Sequence, residues 1–239
     1  MWDNAALLRN IANALITFSA LVVLYGATYY MVHLPGLFPL HSVRLNEAPQ
    51  QVNAAAVLRV VRNEVQGNFF TVDIERLRAA LEKLPWVRSV SIRREFPDRL
   101  TVEFEEHQAL ARWNNSALVN LQGEVFVAES KQVLPSFIGQ DDSSAEIAQH
   151  YMQFNKQLST LGFQVMQIAL SPRHAWQLRL NNGTVLELGR EDMQQRLARF
   201  VSVYPYAESG IRKAEGGALY VDLRYRNGFA VRQGNENRG

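Results

Sequence analysis

The stretch "LPWVRSVSIRREFPDRLTVEFEE", residues 84–106, decides the fold of the segment around it. Val90 and Ile92 alternate with Ser89, Ser91 and Arg93, the period-two signature of a half-buried strand. "PDR" (97–99) turns the chain, and Leu100, Val102 and Phe104 then share one face while Thr101, Glu103 and Glu105 share the other. Two antiparallel strands built this way set Ser and Arg against Thr and Glu on the solvent side, where opposite charges across strands contribute roughly 0.2–1 kcal/mol per pair. Strand pairing accounts for the basic-then-acidic pattern without a charged ligand.

Upstream, "AAAVLRVVRNE" (54–64) places Val57, Val60 and Val61 at helical spacing and ends before Gly67. Asp73 is positioned to cap a second helix, "IERLRAALEKL" (74–84), whose Ile74, Leu77, Leu81 and Leu84 form one apolar stripe before Pro85 stops it. "HSVRL" (41–45) reads as a strand with Val43 and Leu45 on one face. The order strand, helix, helix, strand, strand predicts a small α+β unit over 42–106 with both helices on one sheet face.

Before it, "HLPGLFPLHS" carries two prolines, and residues 33–41 read as a spacer. Residues 11–32, "IANALITFSALVVLYGATYYMV", hold no charge and meet the ~20 residues that a bilayer core of about 30 Å demands. Tyr25, Tyr29 and Tyr30 gather toward the far end, where amphipathic rings favour headgroup depth. A cleavable signal has a shorter apolar run, ~7–15 residues, and a small-x-small exit. The run reads instead as an uncleaved transmembrane helix. Arg9 against Asp3 biases residues 1–10 weakly toward a short cytoplasmic tail, with the bulk exported.

Residues 107–232 read as a mostly antiparallel β domain with helices. "ALVNLQGEVFV" (117–127) gives two short strands around Gln122-Gly123. In "AEIAQHYMQFNKQLSTLG" (145–162) Ile147, Tyr151, Phe154, Leu158 and Leu161 make an amphipathic helix stopped by Gly162. "AWQLRLNNGTVLELG" (175–189) reads as a hairpin: Asn182-Gly183 supplies positive φ angles between alternating Trp176, Leu178, Leu180 and Val185, Leu186, Leu188. Glu191 to Tyr204 reads as a helix, and "ALYVDLRY" with "GFAVRQ" closes the sheet. Residues 233–239 form a polar tail expected to be disordered.

Composition narrows the function. Lys+Arg number 25 against 23 Asp+Glu, with no block of like charge, so no nucleic-acid stripe is expected. The 239 residues include no cysteine, which removes thiol catalysis and disulfides and suits an oxidising compartment. His33, His41, His107, His150 and His174 are scattered without zinc-ligand spacing, and no nucleophile elbow, P-loop or dinucleotide motif occurs. Glu103 and Glu105 lie together on a solvated face rather than in split acid and base environments. The sequence therefore predicts no enzyme, no metal and no cofactor, and points to a binding scaffold.

The segment best suited to binding is "YVDLRYRNGFAV" (220–231). Tyr220, Asp222, Arg224 and Arg226 share one parity and Val221, Leu223 and Tyr225 the other. A late strand at a sheet edge exposes unpaired N–H and C=O groups to which a partner adds its own strand. Tyr225 and Phe229 are candidate anchors, since large rings bury much area at low entropy cost. The alternative makes Tyr225 an ordinary core or sheet residue.

"NFF" (68–70), the Asp73 helix, "LPWVRSVSIRREFPDRL" (84–100) and "ARW" (111–113) resemble the POTRA domain of the bacterial FtsQ/DivIB cell-division family. "LNNGTVLELGRED" (180–192), "RLARFVSVYP" (196–205) and "YVDLRY" (220–225) resemble that family's β domain, so the likeness spans nearly the whole chain. It implies a non-catalytic divisome scaffold of the bacterial inner membrane, single-pass, with its bulk periplasmic, at the division septum. Its implied partners are FtsB, in a coiled coil with FtsL, and further divisome proteins such as FtsK, FtsW, FtsI and FtsN. By the resemblance, Tyr225 lies in the FtsB surface, with Arg224, Asn227, Gly228 and Phe229 in the same segment and Arg173 of "SPRHAW" as another contact. Ser89, Ile92 and Arg94 correspond to positions used in recruiting other divisome components. The alternative function is a POTRA-type chaperone or export component that captures extended polypeptides.

Overall fold

The computed structural model describes residues 5–34, 36–212, 219–226 and 228–233. The chain divides into two compact units, Met1–Glu106 and His107–Gly239.

The first unit opens with α1 (Ala5–His33), a helix of 29 residues. At 1.5 Å per residue it is about 43 Å long, more than the ~30 Å of a bilayer core. Its apolar window is wholly unburied by the rest of the chain, so it is not a core helix. Then follow β1 (Ser42–Leu45), α2 (Ala54–Glu64), α3 (Ile74–Leu81), β2 (Val87–Glu95) and β3 (Arg99–Glu106). The sheet order is β1-β3-β2, with β1 parallel and β2 antiparallel to β3. Ser89 faces Glu105, Ser91 faces Glu103 and Arg93 faces Thr101, the pairing read from the charge pattern. Arg88 and Ser89 both bond the Glu105 carboxylate across the strands, the latter at 2.8 Å. Val57, Leu77, Leu81, Val90, Leu100 and Val102 form the core between helices and sheet.

Local caps explain where these helices begin. Asp73 accepts the Arg76 N–H at 2.9 Å, and Asn53 does the same for Ala55 at 2.9 Å. Two expectations need correction. The second helix ends at Leu81, because the chain already turns there: Leu84 N–H donates to the Leu81 carbonyl at 3.0 Å. Leu45 does not share a buried face with Val43; it is 36% exposed at the end of an outer strand. Glu106 also acts locally, accepting the N–H groups of Gln50, Gln51 and Val52 at 3.1, 3.0 and 2.9 Å.

The second unit holds β4 (Ala109–Trp113), β5 (Ala117–Asn120), β6 (Val125–Phe126), β7 (Ser136–Ile138), α4 (Ser144–Ser159), β8 (Val165–Leu170), β9 (Trp176–Leu180), β10 (Val185–Gly189), α5 (Met193–Arg212), β11 (Leu219–Asp222) and β12 (Ala230–Gln233). One sheet runs β12-β11-β10-β9-β8-β7-β4-β5-β6. It is mixed: β10–β11, β7–β8 and β4–β7 are parallel and the other pairs antiparallel. The helices α4 and α5 pack on β8 and β10 and on each other. Phe137, Phe154, Leu158, Trp176, Leu178 and Phe200 fill the core between them and the sheet.

The β9–β10 turn differs from the expected one. Only Gly183 has a positive φ, 83°. Gly183 N–H donates to Leu180 O at 3.0 Å and Leu180 N–H to Thr184 O at 2.8 Å, so the loop has three residues with glycine at its left-handed position. The Asn182 side chain instead accepts the Thr184 N–H at 3.0 Å. Val185 accordingly pairs with Arg179 on the outer face, and Leu186 and Leu188 alone face inward. The last helix runs through Pro205 to Arg212, beyond the expected end at Tyr204. Phe200 and Tyr204, with rings 5.2 Å apart, keep its middle packed against the core.

Candidate partner-binding edge

The sheet order puts β12 at the outer end of the large sheet, next to β11, which lies inside between β10 and β12. The segment expected at the edge, residues 220–231, divides: β11 stops at Asp222 and lies inside the sheet, and the edge is β12. The reason is local chemistry. The Asp222 carboxylate accepts the Arg224 backbone N–H at 3.0 Å and the Arg224 guanidinium at 2.9 and 2.6 Å, which curls the chain out of the strand. Arg224 pulls the Asp222 carboxyl below the ordinary carboxylate range, and Asp222 in turn raises Arg224.

The alternation expected through Tyr225 therefore ends early. Leu223 is still buried, and its N–H donates to Glu187 O at 2.9 Å. Tyr225 sits in the turn with its side chain exposed, 58%, so it is not a core residue. Arg199 of α5 donates to its carbonyl at 3.2 Å. Phe229 is half-buried, its ring 5.6 Å from that of Phe200 and packed against the core. Gly228 is half-buried beside it, while Asn227 lies outside the described residues. Gln233 belongs to β12, and residues 234–239 lie outside the described residues.

Arg173 is exposed in the β8–β9 turn, which is closed by Ser171 N–H donating to Ala175 O at 3.0 Å. Ala175 and Arg224 line one open groove with Glu187, Gly189, Arg190 and Arg196, so the Arg173 turn and the Arg224 turn occupy the same end of the sheet. Ser89, Ile92 and Arg94 belong to the first unit, on β2, an outer strand of the small sheet. Ser89 is tied to Glu105, and Ile92 packs against the small core. Arg94 donates to the carbonyls of Phe69 at 3.0 Å and Val72 at 2.9 Å.

Three groups that position this edge escaped the sequence reading. Glu187 accepts from the Tyr220 hydroxyl at 3.0 Å and from Gln177 at 3.2 Å. Burial first, then the Glu187 bond, raises the Tyr220 pKa. The Arg232 guanidinium lies 4.0 Å above the Tyr220 ring, locking β12 onto β11 through a cation–π contact. Gly189, at φ 75°, leaves room where an added Cβ would stand 2.7 Å from Arg196 Nη1 and 3.1 Å from Arg224 Cγ. The second of these had no local signal, because Arg232 faces Tyr220 only through the pairing of β12 with β11. Among the described residues no group of three or more His, Cys, Asp or Glu side chains gathers in a way that could hold a metal ion.

Comparison with known proteins accounts for both units. The family model "POTRA domain, FtsQ-type" matches residues 38–107, and "Cell division protein FtsQ/DivIB, C-terminal" matches residues 111–224, stopping one residue before Tyr225. The chain is 43% identical over 237 residues to the cell division protein FtsQ of Nitrosospira multiformis, covering 97% of this chain and 99% of that protein. It is 37% identical over 239 residues to FtsQ of Burkholderia pseudomallei, covering 97% and 94%. With FtsQ of Shewanella oneidensis the identity is 39% over 196 residues, covering 81% and 73%. Two family models that between them span both units, and relatives alike from end to end, make this chain a member of the FtsQ/DivIB family of cell-division proteins.

Proposed function

We propose that this cell-division protein is a non-catalytic divisome scaffold. In this reading α1 anchors it in the bacterial inner membrane, with a cytoplasmic N-terminus and both folded units in the periplasm. It gathers FtsB and FtsL at the septum, and with further division proteins such as FtsK, FtsW, FtsI and FtsN it helps link septal peptidoglycan synthesis to constriction.

The observation that carries the reading is the terminal place of β12 in the large sheet, beside a turn that presents an exposed Tyr225. An incoming strand of FtsB gains main-chain bonds along β12 and side-chain selection from Tyr225, Arg224 and Arg173 at the same end of the sheet. Tyr225 combines an exposed ring with a backbone held by Arg199, the properties of an anchor that costs little entropy on binding. Ser89, Ile92 and Arg94 belong to a second proposed contact, on β2 at the edge of the small sheet.

Co-purification tests the main contact. Membranes carrying the full chain with Tyr225→Glu should yield no FtsB while the protein melts as the wild type does. Retention of FtsB by the folded variant would remove Tyr225 from the interface. Midcell fluorescence of a tagged chain in dividing cells tests the septal location, and a uniform envelope signal would contradict it.

A further inference from the structure

Between α1 and the small sheet the chain is held at Leu34, Phe38 and His41. Asn68, fully buried, donates through Nδ2 to the carbonyl of Val32 at 2.7 Å and to that of Leu34 at 3.2 Å, taking up the carbonyls at the end of α1. Its Oδ1 accepts the N–H groups of Phe70 and Thr71, each at 3.0 Å. Phe69 N–H donates to Phe38 O at 2.9 Å, and His41 N–H to Asp98 O at 3.0 Å. The helix end, the 68–71 loop and the β2–β3 turn are thus fixed to one another.

Phenylalanines cluster at this junction. The Phe38 and Phe70 rings meet edge to face at 5.1 Å, Phe69 meets Phe70 at 5.1 Å, and Phe96 meets Phe69 at 6.1 Å. Phe69 is buried, but Phe38, Phe70 and Phe96 are 41, 43 and 73% exposed. Phe38 also holds φ at 59°, a left-handed backbone that a bulky side chain rarely adopts, and its carbonyl is fixed there by Phe69. A water-facing loop has no reason to keep three rings outward at such a position.

Their depth supplies the reason. A span of ~20 residues counted from the residue after Arg9 ends near Tyr29 and Tyr30, and the carbonyls held by Asn68 follow within a few residues, at about 1.5 Å each. The headgroup layer is roughly 5–8 Å thick on each side of the hydrocarbon, so the clasp and the rings beside it fall within it. Aromatic rings favour that layer.

We propose that Phe38, Phe70 and Phe96 form a membrane-resting foot, seated in the headgroup layer of the bilayer that α1 crosses. The foot fixes the height and tilt of the small unit above the membrane. This inference rests on the reading of α1 as a membrane span.

The cysteine-free chain permits a direct test. Single variants Glu95→Cys (beside Phe96), Lys83→Cys (exposed, before the start of β2, at the other end of that strand from Phe96) and Leu21→Cys (mid-helix) of the full chain are labelled with a small fluorophore. They are reconstituted in phosphatidylcholine–phosphatidylglycerol vesicles containing nitroxide on the headgroup or on the acyl chain. The headgroup nitroxide should quench the label at 95 at least twofold more than the label at 83, and Phe70→Ser with Phe96→Ser should abolish that excess. Equal quenching at 95 and 83, with Leu21 quenched by acyl nitroxide, overturns the foot and leaves the anchor standing. Shielding of 95 from an aqueous quencher without any response to headgroup nitroxide assigns the rings to a protein contact and also overturns it. An unquenched Leu21 label overturns the span and the foot together.

Discussion

The outer strand of the small sheet and the outer strand of the large one differ in what their neighbouring side chains already do. On β2, Ser89 is spent on Glu105, Arg94 on two loop carbonyls, and Ile92 on the core. Beside β12, the turn is shaped by the Asp222–Arg224 clasp and held by Arg199, and these contacts leave the Tyr225 ring outside. Among the described residues each strand pairs with a neighbouring strand on one side only, and on β2 the Glu82 carboxylate accepts the Val90 N–H at 3.4 Å. The exposed ring that follows β2, Phe96, belongs to the phenylalanine cluster at the α1 junction, whereas the exposed ring beside β12, Tyr225, serves the proposed FtsB contact, so the two outer strands are assigned different partners.

The largest effect expected from this contrast is on binding. Tyr225→Glu should weaken the complex with FtsB by at least about 2 kcal/mol, on the order of 30-fold, when titrated in detergent or nanodiscs. A charged substitution on β2, Ser89→Glu, should change the same affinity less than about threefold. Equal losses from the two would erase the distinction between the strands.

Next in size is a stability effect confined to the small unit. Arg94→Ala removes two charge-assisted bonds to carbonyls and should cost about 2 kcal/mol in denaturant unfolding, with FtsB affinity unchanged. Loss of FtsB affinity without loss of stability would place Arg94 in the FtsB contact instead.

Acid sharpens the comparison from the other side. Arg224 holds the Asp222 carboxyl below its ordinary value, so the clasp contributes fully above about pH 4 and is lost as pH falls through the lower folded value. Asp222→Asn should remove that part of the acid slope and, as half of the pair is exposed, cost under about 1 kcal/mol at neutral pH. An unchanged slope in thermal melts from pH 5 to 2 would count against the clasp. Smallest of all, Ser89→Ala should lower stability by about 0.5 kcal/mol and leave binding alone.

What the sequence made legible follows from which forces act locally. The hairpin at 87–106 was readable because apolar and polar residues alternate and its cross-strand partners carry complementary charge. The Asp73 cap was readable from residue type and spacing. The end of β11 was not, because it depends on one carboxylate reaching both the backbone and the guanidinium two residues later. The same holds for Asn68 and Glu106, whose partners lie 36 and 56 residues away in the chain. The exchange of edge from β11 to β12 needed the sheet order, which periodicity in a single strand does not contain. Tyr225 emerged from the motif, and its exposure only from the turn geometry.

Amide hydrogen exchange on the full chain, with and without FtsB, tests the docking edge most directly. Strand addition predicts that FtsB slows exchange at the outward amides of Ala230–Gln233 while Val87–Glu95 exchanges as before. Slowing confined to Val87–Glu95, with Ala230–Gln233 unaltered, would contradict the assignment.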